Sequence, residues 1–140
     1  MKAKVSWVDD LTFVGESESG HAVMMSAGSG SGGRDTVPTP MEMVLMSMGA
    51  CSSIDVVMIL KKARQQVSDC ICELSSERAE TNPKVFKKIH AKYIVTGKDV
   101  KPEQVQKAVS LSIEKYCSVA LMLQGKVEIT SSFEVHPQVA

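Results

Sequence analysis

Two stretches decide the fold: TPMEMVLMSMGACSSIDVV at residues 39–57 and EKYCSVALML at residues 114–123. The first opens on a Thr-Pro pair, which is typical of a helix start because threonine caps free N–H groups and proline suits the first helical position. It then carries no charged side chain over residues 43–54. We expect a long helix that ends near Arg64, apolar on nearly all sides and therefore buried on most of them.

Alternating polar and apolar residues on either side of these stretches predict six strands. Three precede the long helix as a meander, two follow it as a hairpin with a loose turn, and one comes last. A second helix begins at Pro102, its inward stripe includes Tyr116 and Cys117, and a short turn of helix follows it. The prediction is an α+β fold in the order βββ-α-ββ-α(α)-β, as one domain over residues 1–140. The predicted strands cover residues 2–8, 11–17, 21–26, 67–80, 86–96 and 126–136.

Composition excludes several classes of protein. Sixteen basic and sixteen acidic side chains leave no net charge, so general nucleic-acid binding is not expected. The uncharged stretch 43–54 is far shorter than the roughly twenty residues of a membrane span, so we expect no membrane association. No apolar run follows the first lysines, so there is no sign of a secretory signal. We expect a cytoplasmic protein whose cysteines are reduced.

Four cysteines are the candidate reactive groups: Cys51, Cys70, Cys72 and Cys117. Cys70 and Cys72 do not form a C-x-x-C motif, and on a strand they share one face about 6.7 Å apart, which favours small core residues over a disulfide. Cys51 lies in the middle of the long helix and Cys117 near the end of the second. Sequence alone does not show that these two meet. An inert buried thiol and a reactive thiol both remain open for each.

Metal and cofactor motifs are not expected in this chain. His21, His90 and His136 do not lie three or four residues from another histidine or a cysteine, so a zinc site is not predicted. The glycine-rich segment at 28–33 lacks the strand-and-helix surroundings of a phosphate-binding loop, and we interpret it as a flexible loop. We therefore expect neither a metal ion nor a bound cofactor.

The two stretches, in this order and with this strand pattern, resemble the OsmC/Ohr family, and most closely the OsmC-like subgroup with E-K-Y-C-S in its second helix. The resemblance covers essentially the whole chain. It implies an α+β homodimer in which two chains intertwine, the two long central helices pack together and the sheets wrap around them. It also implies two sites at the dimer interface.

Peroxidase members of that family reduce hydroperoxides, preferably organic ones, with a pair of cysteines. By position, the resemblance implies that Cys51 attacks the peroxide and becomes a sulfenic acid, and that Cys117 resolves it to a disulfide. An external dithiol would then restore both thiols. The implied function is a thiol-dependent peroxide reductase.

Those members also use an arginine and a glutamate to activate the first cysteine. At these positions this chain departs from the family pattern. The family glutamate directly follows the helix-start proline, whereas Glu42 comes one position later. Nine residues of straight helix place Glu42 opposite Cys51, which favours a helix-capping role. Arg34 is the basic candidate, and a solvated loop arginine is an equal alternative. Many peroxidase members have proline where this chain has Ser118.

Asp55 lies one turn after Cys51 on the same face of the helix. A carboxylate there would raise the pKa of the thiol unless it pairs with a cation. The alternatives are an ordinary charge on the helix surface, or an ion pair with Lys62, Arg64 or a residue of a second copy.

Two other functions fit the same scaffold. One is a non-catalytic dimer that binds an apolar small molecule between the central helices, lined by Met43, Met46 and Met48. The other is a redox-sensing or structural module that oxidises reversibly without turnover.

Overall fold

The computed structural model describes residues 1–139 and confirms the α+β class and the predicted order of elements. A 3₁₀ turn at Ser29–Ser31 and a π-helical turn at Ser112–Tyr116 are additional. The strands are β1 (Ala3–Asp9), β2 (Thr12–Ser17), β3 (Ala22–Ser26), β4 (Gln66–Arg78), β5 (Phe86–Lys98) and β6 (Glu128–Pro137), and the helices are α1 (Pro40–Lys62), α2 (Pro102–Leu111) and α3 (Ser118–Leu123).

The chain divides into two compact units, and α1 begins in the first and continues in the second. The first unit is Met1–Leu45 and contains the antiparallel sheet β1-β2-β3. The tight turn between β1 and β2 places Asp10 at a positive φ of 42°, which short polar side chains tolerate best. The description of residues 1–140 as one domain stays a prediction.

The second unit, from Met46 onward, contains the sheet β4-β5-β6 with β5 at its centre. β4 and β5 form the predicted antiparallel hairpin, and β6 runs parallel to β5 because the chain between them crosses over through the two short helices. The alternation along β5 puts Ile89, Ala91, Tyr93 and Val95 into the core. The buried residues of α1 in this unit are Met48, Gly49, Ser52, Val56 and Leu60.

The expectation that α1 is buried on most sides is wrong within a single chain. Its buried residues recur at four-residue spacing and form one stripe, and the opposite face is exposed, with Ile54 at 61% and Met58 at 50% of full exposure. By length and composition α1 could cross a membrane, and only 28% of its most apolar window is buried inside the chain. A helix that is hydrophobic on all sides is expected to be buried on all sides, but a single sheet buries only one of them.

Tyr116 was predicted to face inward and is instead 51% exposed. The prediction assumed 3.6 residues per turn along the whole second helix. The π-helical turn Ser112–Tyr116 holds more residues per turn and changes the direction of every side chain that follows it. Tyr116 consequently turns outward, while Cys117 points into the core.

Candidate functional site

The structure places the thiols of Cys51 and Cys117 next to each other, so that each lies in the electrostatic surroundings of the other. Cys51 lies in the middle of α1 and is half-buried, whereas Cys117 is fully buried at the start of α3. Both cysteines are free thiols. The pair therefore combines one partly accessible sulfur with one sulfur that lies behind it.

Backbone contacts fix the direction of the Cys117 side chain. Its N–H donates to the Ser112 carbonyl oxygen at 2.7 Å, which closes the π-helical turn. Its Sγ accepts the N–H of Ala120 at 3.4 Å and lies 4.0 Å from the Met48 carbonyl oxygen on α1. The widened turn therefore aims this thiol at the central helix.

The pKa of Cys117 is raised to about 11, chiefly by burial; the N–H of Ala120 acts in the opposite direction, and the neighbouring Cys51 contributes a smaller part of the rise. At pH 7 only about one Cys117 thiol in ten thousand is ionised. Cys51 is therefore the better candidate for first attack on an external oxidant, and Cys117 is suited to a slower intramolecular step.

This raised pKa predicts a loss of stability at high pH. The unfolded thiol ionises near its ordinary pKa of 9 and the folded one near 11. Between these values the unfolded state has lost the proton that the folded state still holds, so the free energy of unfolding falls as pH rises, by about 2 to 3 kcal/mol in total. Urea unfolding at pH 8, 9, 10 and 11 under reducing conditions measures this fall. Cys117→Ser should lack the part of this fall that the Cys117 thiol causes. If the free energy of unfolding falls equally steeply with pH in both proteins, the effect does not come from Cys117.

The hydroxyls of Tyr93 and Ser52 form a buried hydrogen bond on the inward side of the α1 turn that carries Cys51. The Tyr93 hydroxyl donates to Ser52 Oγ at 2.6 Å, and Ser52 Oγ donates to the Met48 carbonyl oxygen at 2.9 Å. Burial raises the pKa of Tyr93 far above its ordinary value, so the phenol stays a donor. This contact ties β5 to the turn of α1 that carries Cys51. Sequence analysis missed both residues; the only signal was a tyrosine at an inward strand position, which needs a buried partner.

Asp55 has a hydroxyl partner, whereas the sequence left a surface charge and an ion pair open. The Ser112 hydroxyl lies 2.9 Å from Asp55 Oδ2 and 3.2 Å from the Ser52 carbonyl oxygen. The carboxylate therefore links α1 to the π-helical turn that precedes Cys117. Ser112 is a third site residue that the sequence did not reveal.

Arg34 and Glu42 lie in the first compact unit, and each has local partners there. Arg34 forms ion pairs with both Asp9 and Asp10. Glu42 and Thr39 form a capping box: the Thr39 N–H donates to Glu42 Oε1 at 3.0 Å, and the Glu42 N–H donates to Thr39 Oγ1 at 3.2 Å. These bonds hold the pKa of Glu42 below its ordinary value. Both contacts agree with the local alternatives, and a role toward Cys51 stays a prediction for each residue.

Comparison with known families gives the identity of this scaffold. Residues 32–132 match the family described as OsmC-like protein. The chain belongs to that family. It is 56% identical to Protein YhfA of Escherichia coli strain K12 over 135 residues, which are 96% of this chain and 98% of YhfA, a protein whose name states no activity. Membership in this soluble family makes α1 a core helix of the fold.

Two solved structures extend the comparison. A hypothetical protein from Aquifex aeolicus VF5 is 32% identical with a TM-score of 0.87, covering 99% of this chain and 97% of that one. The organic hydroperoxide resistance protein OhrB of Bacillus subtilis is 19% identical with a TM-score of 0.63, covering 96% of this chain and 98% of that one. At that identity the likeness to OhrB establishes a shared OsmC-like fold.

Proposed function

We propose that this OsmC-like protein is a thiol-dependent peroxide reductase, with Cys51 as the peroxidatic residue and Cys117 as the resolving residue. The observation that carries the proposal is that a half-buried thiol and a fully buried thiol from two separate helices are neighbours. The shared fold with a protein named for organic hydroperoxide resistance supports the same chemistry.

The reaction follows from the arrangement of the two sulfurs. The Cys51 thiolate attacks one peroxide oxygen, an S–O bond forms, the O–O bond breaks, and the departing alkoxide takes a proton to leave as an alcohol. The sulfur is oxidised by two electrons to a sulfenic acid. Cys117 then attacks that sulfur, loses its proton and displaces water, which leaves a disulfide. An external dithiol reduces the disulfide and restores both thiols.

The surroundings of Cys51 favour an organic hydroperoxide. Ala50 and Ile54, the neighbours of Cys51 along the exposed face of α1, are both apolar and exposed. At the edge of the homodimer interface proposed below, an alkyl or aryl group would be stabilised by leaving water beside these residues, whereas hydrogen peroxide has no apolar part to bury.

Counting free thiols before and after one equivalent of cumene hydroperoxide tests the proposal. Wild type should lose two of its four thiols within seconds, Cys51→Ser should lose none, and Cys117→Ser should lose one and hold a sulfenic acid that dimedone traps. Cys70→Ser is the matched control and should lose two. Survival of all four wild-type thiols would overturn the peroxidase proposal.

The binding-protein alternative has lost part of its support. Met48 was expected to line a ligand site between two central helices, but it is fully buried within its own chain. Met46 is still exposed on α1. The alternative would regain support only if the thiols prove inert toward peroxide.

We also propose that the protein works as a homodimer in the cytoplasm. Ala50, Ile54 and Met58 form an apolar stripe along the exposed face of α1, and Met122 on α3 is 75% exposed. Contiguous apolar surface of this kind is typical of an interface. The small Ala50 side chain would allow a second α1 to approach closely. Free thiols fit a reducing compartment.

A further inference from the structure

We propose that Cys70, Cys72 and Met46 form a binding site for a single Cu(I) ion, in the groove between α1 and β4. In this article the groove means the cavity lined by Met46, Gly49, Ala50, Ser53, Cys72 and Leu74. The proposed site does not use the Cys51–Cys117 pair and does not depend on the peroxidase proposal.

The two thiols converge on one point. Cys70 and Cys72 lie on the same inward face of β4, at half-buried positions that alternate with exposed ones. Each sulfur makes a hydrogen bond with the hydroxyl of Ser53, which projects from α1 toward β4. Two sulfurs that reach one hydroxyl oxygen lie much nearer to each other than an extended strand alone would require. They can therefore share one bound ion.

The groove makes this point accessible from solvent. It has a volume of about 270 Å³ and an open mouth. Gly49 gives β4 room to approach α1: a Cβ atom at this position would lie 2.6 Å from Leu74 Cδ1 and 3.7 Å from Cys72 Sγ. The absence of a side chain at residue 49 thus keeps the Cys72 sulfur at the wall of the cavity. Met46 lines the same cavity and brings a thioether sulfur.

The donor set selects the ion. Thiolate and thioether sulfurs are soft ligands that favour Cu(I), whereas Mg²⁺ and Ca²⁺ require oxygen ligands. In the described part of the chain no three His, Cys, Asp or Glu side chains lie close enough to hold a metal ion, so a four-coordinate zinc site of such ligands does not form there. Cu(I) accepts two or three sulfur ligands, and this groove offers two thiols and one thioether.

Binding requires the thiols to give up their protons. Burial raises the pKa of both cysteines, and a hydrogen bond from Ser53 acts in the opposite direction on each. The two Cu–S bonds form as two protons leave to solvent, with no change in the oxidation state of copper or sulfur. The Tyr93 hydroxyl also hydrogen-bonds Cys72, so a group shared with the Cys51 turn of α1 lies beside the proposed site.

Anaerobic titration with Cu(I), in competition with the chromogenic chelator bicinchoninate, tests the proposal on the reduced full-length chain. Wild type should take one equivalent. Cys70→Ser and Cys72→Ser should each weaken binding by about 100-fold or more, and Met46→Leu by about tenfold. The double variant Cys51→Ser/Cys117→Ser is the matched control, because it also removes two thiols, and it should bind Cu(I) like wild type.

Two outcomes would overturn the proposal: wild-type affinity in both Cys70→Ser and Cys72→Ser, or loss of binding in the Cys51→Ser/Cys117→Ser control. Thermal unfolding of each metal-free variant separates loss of binding from loss of fold. If a cysteine variant fails to fold, Met46→Leu decides, because it replaces an exposed side chain and should weaken binding without changing the unfolding temperature. Since the control variant lacks the peroxidase thiols, its retention of copper is independent of any peroxide reduction.

Discussion

Cys51→Ser is expected to lower kcat/KM for cumene hydroperoxide by more than about a thousandfold, because a serine hydroxyl is almost entirely protonated at neutral pH and does not displace an alkoxide from a peroxide. The measurement is the initial rate of hydroperoxide consumption with dithiothreitol as the external dithiol. Cys117 cannot take over the first step, since it is fully buried and its pKa lies at about 11.

Two further variants make this result specific to one sulfur. Cys117→Ser should keep the rate of the first oxidation within about threefold of wild type in a single turnover, because the residue acts only after the sulfenic acid has formed. Cys72→Ser removes a half-buried thiol near the same helix and should keep full activity. A Cys51→Ser protein that retains a tenth or more of wild-type kcat/KM would show that another group attacks the peroxide.

The contacts around Cys51 also bear on how its thiol is activated. Arg34 is paired with two carboxylates and Glu42 caps the start of α1, so both have local structural roles. The groups that hold the helix around Cys51 are instead Ser52 with its tyrosine partner and Asp55 with its serine partner. An active enzyme would therefore depend on these contacts to position the sulfur, whatever the source of its activating charge.

The sequence predicts well those parts of the fold that local interactions determine. The start of α1 follows from a threonine that caps, a proline at the first helical position and a glutamate three residues after the cap, and the structure shows the corresponding capping box. The inward face of β5 follows from simple alternation. Both signals act within a few residues, so a single sequence contains them completely.

The remaining features depend on distant partners. The contact of Cys51 with Cys117 requires two helices to pack, and no spacing in the chain encodes it. The exposure of Tyr116 results from the π-helical turn, which a regular helical period does not reveal. The hydrophobicity of α1 is evident from its sequence, but hydropathy indicates only that a face needs cover and not which surface covers it.

The exposed apolar face of α1 leads to a second prediction with a large expected effect, which concerns self-association. The double variant Ile54→Asp/Met58→Asp is expected to weaken self-association by at least about a thousandfold, because two carboxylates would have to leave water in the middle of an apolar interface. Sedimentation velocity across a range of protein concentrations measures the change. Wild type should sediment as a dimer and the double variant as a monomer, with an unchanged far-UV circular dichroism spectrum.

Ile71→Asp provides the matched control. Ile71 is also an exposed isoleucine, but it lies on β4 at a position that alternates with the inward cysteines, so it faces away from them. This variant should remain a dimer. A dimeric Ile54→Asp/Met58→Asp protein would move the interface to another surface, and a monomeric wild type would overturn the homodimer proposal.

Because Cys51 lies between Ala50 and Ile54 along the chain, a monomer should also expose its thiol further. Faster alkylation of Cys51 in the double variant would therefore tie the interface to the proposed site.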